Sequence, residues 1–568
     1  MIPPERYDSL GELLRDALVQ FKTETALIEV NRKREAARLS YLDFTRAAEP
    51  LARRLQDHGV GPGDRVAIVM SNQSKWLVSA YAALFRGAVL VPIDYKLTGP
   101  EQVALLAHCR PSVLVTEYPA FRSMPGLEVP LVLVTEVPEG TDLSADRSGA
   151  TVAERWEDTP SDRPPPDFVP RARSDQATLV YSSGTGGRPK GCILTHDNYL
   201  EQYRTLTQLF PLRTGHRYFS ILPTNHAIDF MVGFVGPLAG GATVVHQRAL
   251  RPEMINDTLR RYRITHMAIV PLLLEAFERR IDEQLDTRSP VAQQAFGALT
   301  RLNAALTLGR PRRHLSRRLL KPVHDAFGGH LELLFCGGAF VDRDRAQRFY
   351  DLGIPVVIGY GLTEACTVLT VNDLNPFRAD SAGRPLDGVE LDIRGADPRT
   401  GVGEVWARSR TVFAGYLDDA EQTAEALHGG WLRTGDLGYL DASGHLHLVG
   451  RAKNMIVTAG GKNIYPEDIE SAFEGVPCDE LAVFSSEYLF PGGALTGERL
   501  VAVVRAGAPD DAAAALRERN GRLPDFKRVR GLLLWPDAFP RTASMKVKRE
   551  PLAEAIRAKL DARAIASI

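Results

Sequence analysis

From residue 10 to residue 116 the sequence alternates short aliphatic, β-branched runs with longer segments whose apolar positions recur at helical spacing. Leu10, Leu13, Leu14 and Leu18 open the pattern as one helix face, and TALIEV (25–30) follows as a strand. A helix over 41–58 leads through the turn GVGPGD into RVAIVM (65–70). Helices near 75–86 and 100–108 then separate the strands AVLVPI (88–93) and SVLVT (112–116). Strands that alternate with amphipathic helices are buried beneath their own crossovers, so this pattern predicts a parallel, doubly wound α/β architecture. No internal repeat of fixed period is present, and two similar α/β layers are compatible with the pattern.

Three later segments depart from that alternation. TPSDRPPPDFVPRARS (159–174) is proline-rich and reads as a loop or linker. Residues 277–330 are Arg-rich and helical in pattern, ending in HLSRRLLKPVHDAFGG, and read equally as a solvated helical insertion or as a segment that touches function. Beyond residue 450 come a short αβ segment (464–488), a strand (499–505), an Ala/Arg helix (511–520) and a final helix after GLLLWPDAFPRTASMKVKRE. That change predicts a separate small domain, for which 568 residues leave ample room at about 150 per domain.

Composition narrows the class. The chain is 44% hydrophobic and 24% charged, which argues against wholesale disorder. Its 69 basic and 70 acidic residues leave a net charge of −1, removing any sequence-independent electrostatic case for nucleic acid or an anionic surface. Five scattered cysteines (Cys109, Cys192, Cys336, Cys366, Cys478) form no CxxC pair, so neither a disulfide scaffold nor a zinc cluster is indicated. The N-terminal MIPPERYDSLGELLRDAL does not read as a signal peptide, and no apolar run reaches about 18 residues. A cytoplasmic protein is the expectation, with peripheral membrane contact left open. Only 12 of the 69 basic residues are lysines.

Chemistry concentrates in TLVYSSGTGGRPKGCILTH (178–196). An apolar strand runs into Ser182, Ser183, Gly184, Thr185, Gly186, Gly187, Arg188, Pro189 and Lys190. Glycines let successive N–H groups point into one concavity, and the hydroxyls and lysine add donors, which suits a triphosphate. Lys190 is followed by Gly191 rather than Ser or Thr, so this is not a Walker loop. Kinase HRD and DFG signatures are also missing from the sequence. A second signal is IPVVIGYGLTEAC (354–366), where a buried strand delivers Tyr360, Thr363 and Glu364 at its C-terminal end.

These segments resemble the motifs of the acyl-adenylate-forming (AMP-binding) superfamily. The first is similar to its phosphate loop, Ser-Gly-Thr-Thr-Gly-x-Pro-Lys-Gly, with Gly186 where a second threonine is usual. The second resembles Gly-Tyr-Gly-x-Thr-Glu, which implies that Tyr360 and Gly361 meet adenine, Thr363 the α-phosphate, and Glu364 a Mg²⁺ ion. LLFCGGAF (333–340) resembles the adenine-flanking turn, bringing in Gly337, Gly338 and Ala339. In WLRTGDLGYLDASGHLHLVGRAKNMIVTAGGKNIYPEDIE (431–470), Asp436 and Arg451 match ribose-binding positions and Lys453 the hinge. Gly460, Gly461 and Lys462 match a loop that lines the thiol tunnel. PRTASMKVKRE (540–550) resembles the motif of the catalytic lysine, which falls on Lys546 by register, with Lys548 nearby and Met545 where glycine is usual.

The resemblance spans roughly residues 40–550 and implies an α/β fold in two parts. A large N-terminal domain (1–452) of stacked α/β subdomains with a β-barrel-like part is expected, followed by a small mobile α+β lid domain (453–568). It implies ATP-dependent conversion of a carboxylate to acyl-AMP, then transfer to a thiol, with Thr185, Thr363, Lys546 and Mg²⁺ on Glu364 serving the first step. His226 in LPTNHAIDFMVG (222–233) matches a gate between acyl and thiol channels, and Phe230 lies with Ile228, Met231, Val232 and Phe234 in an apolar neighbourhood. Asp229 is the one carboxylate placed to recognise an amino group, and its direction is open. The long-chain fatty acyl-CoA synthetase branch is the nearest resemblance. A medium- or long-chain fatty acid and coenzyme A are therefore expected, with an aryl or branched acid as the other substrate and phosphopantetheine on an acyl carrier protein as the alternative acceptor. A nucleotide-binding homologue of impaired turnover is the other reading, motivated by Gly186 and Met545. Monomer and dimer are both compatible.

Overall fold

The structure is a computed structural model that describes residues 2–143, 151–159, 163–182, 189–308, 310–457, 463–491, 499–541 and 546–568. Its contacts divide into two compact units. The larger contains the chain up to Ser182, Pro189–Glu390 and Arg408–Leu432; the smaller contains Leu391–Ala407 and Arg433–Ile568.

Two sheets organise the larger unit. One has eight strands in the order Gly415–Tyr416, Lys190–Thr195, Gln176–Ser182, Val89–Ile93, Arg65–Val69, Val113–Glu117, Leu131–Thr135 and Val152–Arg155. Its last six strands are parallel, and the first two run antiparallel at one edge. The other has nine strands, with a parallel core of Val356–Tyr360, Leu333–Cys336, His266–Ile269, Arg217–Ser220, Thr243–Gln247 and Thr25–Asn31. The expected α/β alternation is therefore present as two layers. TALIEV does not join RVAIVM: it pairs in parallel with Thr243–Gln247 in the nine-stranded sheet. Alternation is a local pattern, whereas strand partners are chosen by tertiary packing.

The join between the layers is legible residue by residue. Ser40 caps the helix Tyr41–Asp57 by a capping box with Asp43, accepting from its N–H at 3.0 Å and donating its own N–H back at 3.1 Å. The next helix, Ser74–Phe85, is buried at every position except Lys75, as expected of a helix apolar all round. Its first residue is pinned by Glu29 from the other sheet, whose carboxylate accepts from the Ser74 N–H (2.8 Å) and hydroxyl (2.7 Å). Trp76 on this helix meets Phe230 and Phe234 at ring distances of 6.3 and 6.0 Å.

In the smaller unit, a four-stranded sheet runs Glu480–Ser485, Leu500–Arg505, Gly531–Leu534, Ala566–Ser567. Helices Pro466–Ala472, Pro509–Asn520 and Arg549–Lys559 supply apolar residues to its two cores. A separate antiparallel pairing joins Trp431–Leu440 to Leu446–Arg451 and sets Asp436 directly opposite Arg451.

Candidate active site

Within the larger unit, the expected phosphate loop is closed at its base by cross-strand pairing of Ser182 with Lys190. Ser183, Gly184, Thr185, Gly186 and Gly187 lie outside the described residues. Ser182 ends its strand pointing at Glu364, donating its hydroxyl to the carboxylate at 3.2 Å. The same carboxylate oxygen accepts from the Tyr416 hydroxyl at 3.0 Å, and the Lys190 ammonium lies 4.8 Å from the centre of the Tyr416 ring. Glu364 thus joins a strand end of one sheet to a strand end of the other, at the carboxyl ends where open α/β sheets place their ligands. Tyr416 was not singled out by the sequence. One aromatic after a glycine carries no pattern, although its pairing at the sheet edge beside Cys192 follows from the fold.

The loop that presents Glu364 is held in costly backbone geometry. A Cβ at Gly361 would lie 1.9 Å from the Thr367 carbonyl oxygen, so only glycine fits. Cys366 and Thr367 carry φ of 58° and 133°, which non-glycine residues rarely adopt. Three anchors impose this: the Gln202 side chain accepts from the Val368 N–H (2.9 Å), the Thr367 hydroxyl donates to the Ala227 carbonyl (3.1 Å), and the Phe413 N–H donates to the Glu364 carbonyl (2.8 Å). Tyr360 is buried at the strand end, and Thr363 begins the short 3₁₀ turn that holds Glu364. Gly338 adopts φ of 82° in the turn with Gly337 and Ala339. A side chain at Gly337 would press on the Gly359 carbonyl oxygen at 3.1 Å, with Ile228 also within reach at 3.7 Å.

The segment 220–235 answers the open question about Asp229. Its carboxyl is fully buried and accepts from Ser220 Oγ (2.7 Å), Thr224 Oγ1 (3.0 Å) and Tyr218 OH (3.4 Å). Burial pushes its pKa up to about 7, against the opposing pull of those three hydroxyls. A Cβ on Gly233 would stand 2.5 Å from the carboxylate, so the missing side chain makes its seat, and the chain from Phe230 to Val235 winds as a π-helix there. Asp229 therefore turns into the protein, toward hydroxyls. His226 is half-buried, with a buried Nε2 that meets no hydrogen-bond partner among the described residues. Desolvation lowers its pKa, Asp94 opposes this, and Lys96 adds to it. Phe230 is buried against Trp76, Tyr199 and Phe234.

In the smaller unit the cross-strand pair closes into an ion pair, Arg451 Nε to Asp436 at 2.6 Å, with the Asp436 side chain almost wholly buried. Thr434 shapes this corner by accepting from the Asp436 N–H (3.1 Å) and donating to the Val405 carbonyl (2.6 Å). Lys546 stands in the field of the same two groups. Desolvation lowers its pKa, the Arg451 charge acts in the same direction, and Asp436 opposes both. The loop carrying it is tied at both ends: Arg541 binds Glu480 (2.8 Å) and bridges to Val547, while Arg549 binds Glu470 (2.5 Å). Lys548 donates its N–H to the Pro540 carbonyl at 2.7 Å and precedes the last helix. Lys453 is exposed in the turn Ala452–Asn454. Gly460, Gly461, Lys462 and Met545 lie outside the described residues.

Covalent catalysis finds no support in the thiols. Cys192, Cys336 and Cys366 are buried, and burial raises each thiol pKa, that of Cys336 to about 12. Among the described residues no group of three or more His, Cys, Asp or Glu stands together as a metal cluster, and no helix is long and apolar enough to cross a membrane.

Comparison with known proteins agrees with this architecture. An anthranilate CoA ligase, AuaEII, solved in complex with anthranoyl-AMP, superposes with a TM-score of 0.74 over 97% of this chain and 98% of its own, at 22% identity. A feruloyl-CoA synthase of an Amycolatopsis species is 30% identical over 519 residues, 90% of this chain and 92% of the relative. A long-chain-fatty-acid–CoA ligase of Mycobacterium bovis, FadD15, is 28% identical over 548 residues, 89% and 88% of the two chains. The protein is an enzyme of the AMP-forming acid–thiol ligase class. Residues 14–417 match the AMP-binding enzyme family, and the chain belongs to that family.

Proposed function

We propose that this enzyme joins a carboxylic acid to the α-phosphate of ATP, expelling pyrophosphate, and then passes the acyl group from acyl-AMP to the thiol of coenzyme A. The carrying observation is the meeting of Ser182, Glu364 and Tyr416 beside Lys190, where the carboxyl ends of the two sheets come together. Two anions must approach in the first step, so donors and cations have to face the in-line transition state. A carboxylate surrounded by hydroxyl oxygens fits the oxygen-donor preference of Mg²⁺, with phosphates and water completing the shell. Glu364 would hold that ion, which supplies positive charge at the phosphates.

The remaining roles follow the motif positions. Ser182, the loop 183–187 and Lys190 bind the phosphates, with Thr185 and Thr363 toward the reacting one. Gly338, Ala339, Tyr360 and Gly361 take the adenine, and Asp436 with Arg451 the ribose. Lys546 bridges acyl and phosphate oxygens as a charge-assisted donor. Residues 453–568 then turn about Lys453, and Gly460, Gly461 and Lys462 line the path of the incoming thiol. That thiol attacks the anhydride carbonyl, and AMP leaves.

The acid is apolar in this reading, and a medium- or long-chain fatty acid is favoured. Support comes from the apolar segment around Phe230 beside Gly337, from the unpartnered Nε2 of His226 at the gate, and from Asp229 being engaged by hydroxyls. The 28% identity to the fatty acid ligase points the same way, while the 30% identity to feruloyl-CoA synthase supports an aryl acid as the second reading. Lys546→Ala tests the mechanism. It should cut acid-dependent pyrophosphate exchange on the order of 10²–10³-fold, the usual cost of one transition-state donor, and spare thioester formation from preformed acyl-AMP. Exchange that survives the substitution removes Lys546 from the first step. A panel of fatty and aryl acids, offered with coenzyme A and separately with a holo carrier protein, assigns substrate and acceptor.

A further inference from the structure

The helix Pro290–Thr307 is inside out. Its buried residues are polar: Asn303 donates to the Asp351 carbonyl at 2.8 Å, and the Thr307 carbonyl accepts from the Tyr350 hydroxyl at 2.7 Å. Phe296 packs against the core, but the other large apolar residues face out, with Val291 77%, Leu299 37%, Leu302 47% and Leu306 41% exposed, and Leu308 beyond them 73% exposed. At 100° per residue Val291, Leu299, Leu302 and Leu306 share an arc of about 80°, one continuous stripe along the helix. An exposed apolar stripe of this length marks a surface that something covers.

Charge identifies the occupant. Between Asp286 and Asp325 the sequence holds seven arginines, one lysine and no acidic residue, in a chain whose net charge is −1. Among the described residues Arg288, Arg301, Arg310, Arg312 and Arg318 stand in no ion pair, although the protein forms many elsewhere. A cleft of about 590 Å³ beside the helix end is walled by Arg310, Arg312 and Arg313, the last paired with Glu332. A second copy would bring like charge to the same face and be repelled. The balanced total charge argued against an anionic surface, but it averages over a strongly uneven distribution.

We propose that this face docks on an anionic lipid bilayer, its leucines entering the boundary between headgroups and acyl chains and its arginines meeting phosphates at the rim. The proposal does not depend on which acid is activated. The full-length protein should sediment with vesicles of phosphatidylcholine plus phosphatidylglycerol, remain in solution with phosphatidylcholine alone, and be released by salt. Each cation near such a surface contributes roughly fivefold in partitioning, so Arg310→Gln, Arg312→Gln and Arg318→Gln together should weaken binding on the order of 100-fold. Leu302→Gln with Leu306→Gln should weaken it at least tenfold. Both variants should release pyrophosphate normally with a soluble acid, which separates this proposal from the proposed chemistry. No sedimentation of the wild type with anionic vesicles overturns it. So does sedimentation that ignores the leucine changes, a dimer that those changes abolish, or saturable capture of an acidic carrier protein by the same face in place of vesicles.

Discussion

Asp229 in the larger unit and Asp436 in the smaller are both withdrawn from water, and they are held in opposite ways. Asp229 meets three hydroxyls, from Ser220, Thr224 and Tyr218. Asp436 meets a guanidinium at 2.6 Å. A hydroxyl donates to a carboxylate or accepts from a carboxylic acid, so a hydroxyl cage tolerates either protonation state and burial decides between them. A guanidinium only donates, so it meets Asp436 as an acceptor and brings a fixed positive charge to it. The first arrangement suits a fixed structural joint whose charge is dispensable. The second holds a carboxylate opposite a fixed cation, which suits the diol-binding role proposed for Asp436.

The larger unit extends its neutral style of burial to histidine, and there the expected effect is largest. Burial lowers His196 and His324 to about 4 and His266 to about 3, and it lowers His246 as well. A histidine depressed in the folded state contributes stability above its unfolded pKa of about 6.5 and loses it as pH falls. At pH 4.5 the loss is on the order of 2–3 kcal/mol per histidine, so His196, His266 and His324 together lose an amount comparable with the whole stability of an ordinary domain. Calorimetry from pH 7 to pH 4.5 should therefore show the larger unit melting far earlier in acid. A transition that keeps its midpoint over that range would mean that these histidines are not held neutral.

Replacing Asp229 by asparagine sharpens the contrast with the opposite sign. The folded pKa is about 7 against an ordinary 3.8, so the native state binds an extra proton between those values. The associated stability is fully present below pH 4 and is lost as pH rises to 7. The substituted amide cannot ionise and escapes that loss. The stability of Asp229→Asn relative to wild type should rise by up to about 4 kcal/mol between pH 4 and pH 8, read by urea unfolding at each pH. An unchanged difference would show that Asp229 is ionised throughout.

What the sequence disclosed follows the range of the interactions involved. Helices and strands between residues 10 and 116 were legible because a period of two or 3.6 is written in neighbouring residues. The placement of TALIEV in the second sheet was not, because β partners lie about 215 residues apart and leave no local mark. Glu364 was readable from the motif that carries it. Its hydroxyl partner Tyr416 and the inward turn of Asp229 were not, since each depends on segments distant in the chain. The helix Pro290–Thr307 was readable as a largely exposed helix, but not which of its residues face outward. Its orientation is set by the buried Asn303 and Thr307 together with Phe296, against the direction that its leucines would choose.

The smallest of these effects tests Asp436 where it differs most from Asp229. Asp436→Asn keeps the shape and removes the charge that Arg451 faces across the hairpin. The Arg451 side chain retains 34% exposure, so water takes up part of the lost attraction. The stability cost should accordingly stay near ~1 kcal/mol, below the usual range for a hydrogen bond to a charged group because water reaches the guanidinium. The functional cost should be of similar size but specific. An amide presents one acceptor to a diol where the carboxylate presents two, so the KM for ATP should rise about tenfold with little change in kcat. Pyrophosphate exchange measured against ATP concentration reads this directly. A fall in kcat at constant KM would place Asp436 with Lys546 in the chemical step, and no change in either would leave the pair a purely structural tie within the smaller unit.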